Sequence, residues 1–284
     1  MNRRFFSVTI AASVAAGLLF AGCSSAGRRT AQIKFGACDL TLGMTGDPAV
    51  FAFARDIGLD GVQFSIVVEG DSLPLGNPAL QKAVLDASRE TGVEIASFAV
   101  GQLNDIPYKS DLAAERYLSE SVDIAKTMGI PVILVPFFGR GDLVNDPDGR
   151  EVVIQRLKKL APKAERAGIV LALESWLSAE DHMRIIDEVG SPAVKVYYDV
   201  ANSQKMGWDI LKEIRALGPG VVQIHAKDYK DLYGKGSMDF PAVRKAMEDI
   251  GYSGWFVMEG TQMPLGVEKS IKADLDYLKS IFEG

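Results

Sequence analysis

Val170-Leu171-Ala172-Leu173-Glu174 is a short apolar run that ends on a carboxylate, and three later stretches repeat the pattern. They are Val194-Lys195-Val196-Tyr197-Tyr198-Asp199, Val221-Val222-Gln223-Ile224-His225 and Trp255-Phe256-Val257-Met258-Glu259. Their spacing of about 25–35 residues is the length of one strand-plus-helix unit. If the four strands are parallel neighbours, two glutamates, one aspartate and one histidine meet at one end of a sheet. Three carboxylates and an imidazole make a hard, mostly oxygen site for a divalent ion. Chemistry at the C-terminal ends of parallel strands is the signature of the (β/α)8 barrel.

The rest of the chain reads the same way. Short apolar runs alternate with amphipathic stretches, punctuated by Gly and Pro. Strands are predicted at Ile33 to Ala37, Gly61 to Ile66, Glu94 to Ala99 and Val132 to Pro136, followed by the four above. Asp47-Pro48 and Asn77-Pro78 read as helix starts, with the polar residue as cap and Pro in the first turn. Further helices are expected near 111–128, 148–167, 179–189, 208–217, 240–250 and 267–282. That gives eight units without a second domain, and 284 residues suffice for a barrel of about 250. A doubly wound open sheet is the rival; polar residues at several strand ends favour the closed barrel. The fold class is therefore α/β, a single (β/α)8 TIM barrel over 33–284. No phosphate loop or dinucleotide fingerprint is present.

The first residues read as a targeting segment. Asn2-Arg3-Arg4-Phe5-Phe6 is a basic start, and the apolar stretch from Val8 to Ala21 is short for a membrane span. It ends in Phe20-Ala21-Gly22-Cys23, which resembles a bacterial lipobox with Phe in place of the usual Leu. The expectation is a signal peptide over 1–22, a lipid anchor at Cys23, a tether over 23–32, and an exported periplasmic or cell-surface lipoprotein. Arg3-Arg4 before Phe6 also resembles a twin-arginine signal, with an ordinary basic leader as the alternative. Cleavage leaves Cys38 as the one unmodified thiol, which excludes an internal disulfide. Cys38 is read as a small buried hydrophobe that follows the first strand, with a pocket-lining role as the alternative. The net charge of −6 and the absence of a basic stretch argue against nucleic acid as a partner.

Beyond the four strand ends, Asp199-Val200-Ala201-Asn202, His225-Ala226-Lys227-Asp228, Asp239-Phe240-Pro241 and Ile250-Gly251-Tyr252-Ser253-Gly254-Trp255 occur in order. With Leu171-Ala172-Leu173-Glu174 and Glu259 they resemble the sugar phosphate isomerase/epimerase superfamily, the xylose isomerase-like barrels, over about residues 33–283. The resemblance implies one divalent ion held by Glu174, Asp199, His225 and Glu259, with Glu174 and Glu259 flanking the reacting carbon as catalytic residues. Manganese or magnesium is expected, with cobalt or zinc as substitutes. The chemistry of these residue types agrees. Removing a proton beside a carbonyl needs a carboxylate base and stabilisation of charge on oxygen. Only two histidines, His182 and His225, occur in the chain, which excludes the multi-histidine zinc cluster of the endonuclease branch. His182, after Glu180-Asp181, reads as a solvated helix residue.

Lys227, two residues after His225, faces the same way and is a candidate substrate ligand, as are Asn202, Asn104, Gln63 and Trp176; a solvent-facing lysine, a core amide and plain core packing are the alternatives for Lys227, Gln63 and Trp176. Asn202 stands where several epimerases carry a substrate-binding His, Gln63 where a Glu is common, and Ser175 where Pro is frequent. The first functional expectation is a sugar isomerase or epimerase acting through an enediolate. A keto-sugar lyase or hydratase using the same chemistry is the alternative, and a carbohydrate-binding lipoprotein the third. Export favours a neutral or oxidised sugar over a phosphorylated one.

Overall fold

The computed structural model describes residues 33–260 and 262–282; the signal, tether and Cys23 expectations lie outside the described residues. Eight parallel strands close into a barrel in sequence order. They are β1 Ile33–Cys38, β2 Gly61–Ser65, β3 Glu94–Ala99, β4 Val132–Phe137, β5 Val170–Ser175, β6 Val194–Asp199, β7 Val221–Ala226 and β8 Gly254–Met258. The helices are α1 Val50–Ile57, α2 Pro78–Thr91, α3 Leu112–Met128, α4 Pro147–Ala167, α5 Ala179–Val189, α6 Val200–Lys205, α7 Ile210–Leu217, α8 Phe240–Asp249 and α9 Val267–Phe282. Asn77, Asp111, Asp146, Ser178, Asp209 and Asp239 each cap a helix by accepting a backbone N–H. Two expectations are corrected. Asp47 accepts from Ala49 N in a turn that delays α1 to Val50. The stretch after β6 holds two helices instead of one, because Asp199 already caps α6.

Period-two alternation along each strand separates two environments. Outward-facing residues such as Leu171, Leu173, Val196, Ile224 and Phe256 join the helices in one large apolar cluster. Inward-facing Val132, Leu134, Ala172 and Tyr197 form a smaller one, and Cys38, Ala96 and Val257 another. Stepping two residues on from Ala172, Tyr197, Gln223 and Val257 gives Glu174, Asp199, His225 and Glu259. The barrel's own pleat thus brings these four to the inner face at the C-terminal end. Burying a side chain the size of Phe256 contributes about 1.5–3 kcal/mol, so the outer layer supplies the rigidity on which the polar inner end rests.

Candidate metal centre

Register fixes the first pair: Asp199 on β6 lies opposite His225 on β7. Glu259 extends β8 by one residue, its N–H donating to Ala226 O at 3.1 Å. Glu174, Asp199, His225 and Glu259 each offer one ligand atom, and these atoms all lie within 4.8 Å of one another. Glu174, Asp199 and His225 are 1–3% exposed, whereas the Glu259 side chain keeps 23% of its surface open. The cluster is therefore closed from below and reached from the Glu259 side.

Each member is held by contacts that leave its ligating atom facing the centre. His225 Nδ1 lies 3.0 Å from Glu174 Oε1 and 3.9 Å from Glu259 Oε2, with Tyr197 packed on the ring at a centroid distance of 4.2 Å. Asp199 uses Oδ1 to cap α6, accepting from Asn202 N at 2.7 Å. Its Oδ2 is buried without a hydrogen-bond partner; the ammonium of Lys227 lies 3.5 Å away. An orphaned carboxylate oxygen deep in the protein costs free energy unless a cation meets it. Together with a donor set of three carboxylates and one imidazole, it fits a divalent ion.

The protein's own charges bear this out. Burial pushes the Asp199 carboxyl up to about 7, with Glu259 and Glu174 adding and Lys227 opposing. Burial raises Glu174 as well. Burial works against charge on His225, yet Glu174, Cys38 and Glu259 outweigh it and hold the imidazole well above its ordinary range. Lys227 follows the same logic: burial opposes its charge, and Asp199, Glu259 and Glu174 overcome that. For Glu259, burial is outweighed by His225 and Lys227, so its carboxyl sits below its usual value. By itself the cluster carries an excess of negative charge, which it relieves by holding protons.

The remaining expected residues divide by depth. Lys227 Nζ donates to Glu259 Oε2, so it is part of the cluster. Asn202 Nδ2 lies 3.4 Å from Glu174 Oε1, and its Oδ1 accepts from the Tyr229 hydroxyl at 2.5 Å. Gln63 is buried beneath His225, within 3.3 Å of Nε2. Asn104 accepts from Phe138 N at 3.0 Å and ties the loop after β3 to that after β4. Trp176 packs edge-on against Phe138 at 5.3 Å, with Lys205 Nζ 4.7 Å over its ring, and its indole nitrogen is buried without a partner. Cys38 lies in the floor, 3.1 Å from Gln63 Oε1 and 3.5 Å from His225 Nε2.

His182 corrects its expectation. It is 4% exposed, bonds Ser175 Oγ at 2.9 Å and Ser178 O at 3.0 Å, and burial lowers its pKa to about 4. It locks α5 to the end of β5, beside Glu174. Ala179, His182 and Ile185 are all buried, and that i, i+3, i+6 stripe was the available signal.

Three buried aspartates, Asp39, Asp228 and Asp274, have structural roles that sequence pattern does not assign. Asp39 accepts from Gly46 N, Ser65 N and Ser65 Oγ, tying the loop after β1 to β2. Asp228 accepts from Lys230 N and Met238 N. A side chain on Gly236 would collide with the Asp228 carboxylate, so glycine is required where the loop passes. Asp274 on α9 accepts from Tyr233 N at 2.8 Å. Asp228 and Asp274 thus brace the β7–α8 loop that carries Lys227 and Tyr229.

A closed parallel barrel with a buried three-carboxylate, one-imidazole cluster at the C-terminal ends of its strands defines a class, the barrels with a divalent-metal centre. The chain belongs to the xylose isomerase-like TIM barrel family, whose model matches residues 51–281. It is 29% identical over 197 residues to the 2-epi-5-epi-valiolone 7-phosphate 2-epimerase of Actinoplanes sp., covering 69% of this chain and 72% of that one. It is 24% identical to the L-ribulose-5-phosphate 3-epimerase of Escherichia coli K12, covering 72% and 79%. Among solved structures it shares the fold of D-psicose 3-epimerase from Clostridium cellulolyticum H10. There the TM-score is 0.74 at 16% identity, over 88% of this chain and 99% of that one.

Proposed function

We propose that this protein is a divalent-metal-dependent epimerase of keto-sugars, with Glu174 and Glu259 as its acid–base pair. The observation that carries the reading is the convergence of Glu174, Asp199, His225 and Glu259 within 4.8 Å in a family whose matched relatives are named as epimerases of phosphorylated substrates, L-ribulose 5-phosphate among them. A divalent ion held by these four residues supplies Lewis-acid stabilisation for negative charge developing on a substrate oxygen. Manganese or magnesium suits the oxygen-rich donor set.

The protein's own groups divide the proton work. Glu174 is the penultimate residue of β5 and Glu259 follows β8, with two strands between them, so they reach a bound carbon from different sides. In one direction the Glu259 carboxylate takes the proton from the carbon beside the carbonyl. The C–H electron pair forms a carbon–carbon double bond, and the carbonyl oxygen gains the charge. Glu174 then returns a proton to the opposite face, the carbonyl reforms, and the carbon has inverted. Lys227 holds Glu259 in place and Asn202 holds Glu174.

The test is exchange in deuterium oxide with manganese present. L-ribulose, D-tagatose and L-ribulose 5-phosphate cover the neutral and phosphorylated classes. The expected result is a new epimer with deuterium at the inverted carbon, read by NMR. Product formed without deuterium would overturn the enediolate route. Release or uptake of water would move the reading to a lyase or hydratase.

We further propose export and lipid anchoring at Cys23. Arg3-Arg4, the apolar run from Val8 to Ala21 and the Gly22-Cys23 junction support it. Among the described residues no helix is long and apolar enough to cross a membrane. A Cys23→Ser variant is expected to leave the membrane fraction while its barrel melts as in the wild type. Wild-type protein found in the cytoplasm with Met1 intact would overturn the proposal.

A further inference from the structure

Histidine offers a metal only the nitrogen that carries no hydrogen, so the partner of the other nitrogen decides whether the ring can serve. In His225 the two nitrogens face different surroundings. Nδ1 points at Glu174 and Glu259 and is the nitrogen placed to meet an ion. Nε2 points down into the barrel, 3.3 Å from Gln63 Oε1 and 3.5 Å from Cys38 Sγ. At the same place Cys38 Sγ donates to Gln63 Oε1 at 3.1 Å, while Gln63 Nε2 donates to Ser97 Oγ, also at 3.1 Å. The amide is 3% exposed, and neither end of it reaches the mouth of the site.

We infer that Gln63 is a positioning residue for the metal centre: its side-chain oxygen accepts the Nε2 hydrogen of His225 and so keeps Nδ1 free for the ion. The alternative orientation shows why this matters. With the amide reversed, its NH2 group would face Nε2, the ring hydrogen would move to Nδ1, and that nitrogen could bind no ion. Cys38 reinforces the working orientation, because its S–H is a second donor that an oxygen accepts and an NH2 group repels. This assigns Gln63 a role below the ion, in place of the substrate contact that its strand position suggests. The inference rests on the metal reading above, and the experiment separates the two.

The chain contains two histidines, so a protein labelled with 15N-histidine gives two ring signatures, with His182 as the internal control. Full-length protein is loaded with magnesium or zinc, both diamagnetic, and the metal Kd is measured by calorimetry alongside the spectra. In the wild type the expected signature of His225 is hydrogen on Nε2 alone. Gln63→Met removes the acceptor at similar volume and is expected to weaken metal binding about 10–100-fold and to mix the His225 tautomers, leaving His182 unchanged. Gln63→Glu, which keeps an acceptor, is expected to bind metal at least as tightly as the wild type. A Gln63→Met protein with wild-type Kd and the same tautomer would overturn the inference. If that variant does not fold, tenfold weaker binding by a folded Gln63→Glu would overturn it. A wild type that binds no metal would overturn the metal reading itself.

Discussion

Glu259→Gln is expected to lower epimerisation by about 100- to 10,000-fold, the usual loss when a positioned acid or base is removed. Glutamine keeps an oxygen for the ion and roughly the same volume, so the change removes proton transfer more than shape. Lys227 would lose its charged partner in the process and retain Asp199, 3.5 Å away. The finer expectation concerns sides. If each glutamate serves one face of the carbon, Glu259→Gln should still wash deuterium into the epimer whose C–H faces Glu174, without inversion. Glu174→Gln should do the reverse with the other epimer. Metal content is measured first, because both residues belong to the cluster. Turnover within twofold of wild type in either metal-loaded variant would remove that residue from the mechanism. Exchange lost equally from both epimers in both variants would point to a single base in place of a pair.

The legible and illegible parts of the molecule differ in the range of the contacts that define them. Glu174, Asp199, His225 and Glu259 could be found because a strand's two-residue period and a unit's length convert sequence position into spatial position. Helix ends were legible for a similar reason: Asn77, Asp111 and Ser178 bond N–H groups two or three residues away. Gln63 was seen as polar and inward, but whether it faced a sugar or His225 depended on a residue 162 positions later. Asp274 sits on the apolar stripe of α9 with Ile271, Leu275 and Leu278, an anomaly visible in sequence. Its partner, Tyr233 N, lies 41 positions earlier in an irregular loop, which no periodicity reaches. His182 was misjudged because its acidic neighbours outweighed its place on the buried stripe of α5.

Metal affinity should rise steeply with pH, and the direction follows from the cluster's protons. Without the ion, Asp199 titrates at about 7 because of burial, Glu174 is raised by burial, and His225 is raised by its carboxylate neighbours despite burial. Around neutral pH Asp199 and His225 hold protons that a bound ion must displace, since it needs the carboxylates charged and Nδ1 bare. Each proton released makes the apparent Kd tighten about tenfold per pH unit. Between pH 6 and 8 the expected gain is therefore at least about 100-fold. Calorimetry in two buffers of different ionisation enthalpy counts the protons directly, and one to two per ion are expected near pH 7. Stability of the metal-free protein should run the other way. A carboxyl whose folded pKa lies above its unfolded value near 3.8 makes folding less favourable as pH climbs from about 4 through about 7. The raised His225 adds to that trend, its contribution being full below its unfolded value near 6.5 and lost as pH rises through its higher folded value. The depressed Glu259 opposes it only near and below 4.5, where that carboxylate takes up its proton. The melting temperature of metal-free protein should thus fall from pH 5 to pH 8, while saturating manganese raises it most at the upper end. A metal Kd that stays constant from pH 6 to 8 would mean that the cluster is already deprotonated before the ion arrives, and that its buried carboxylates are charged without it.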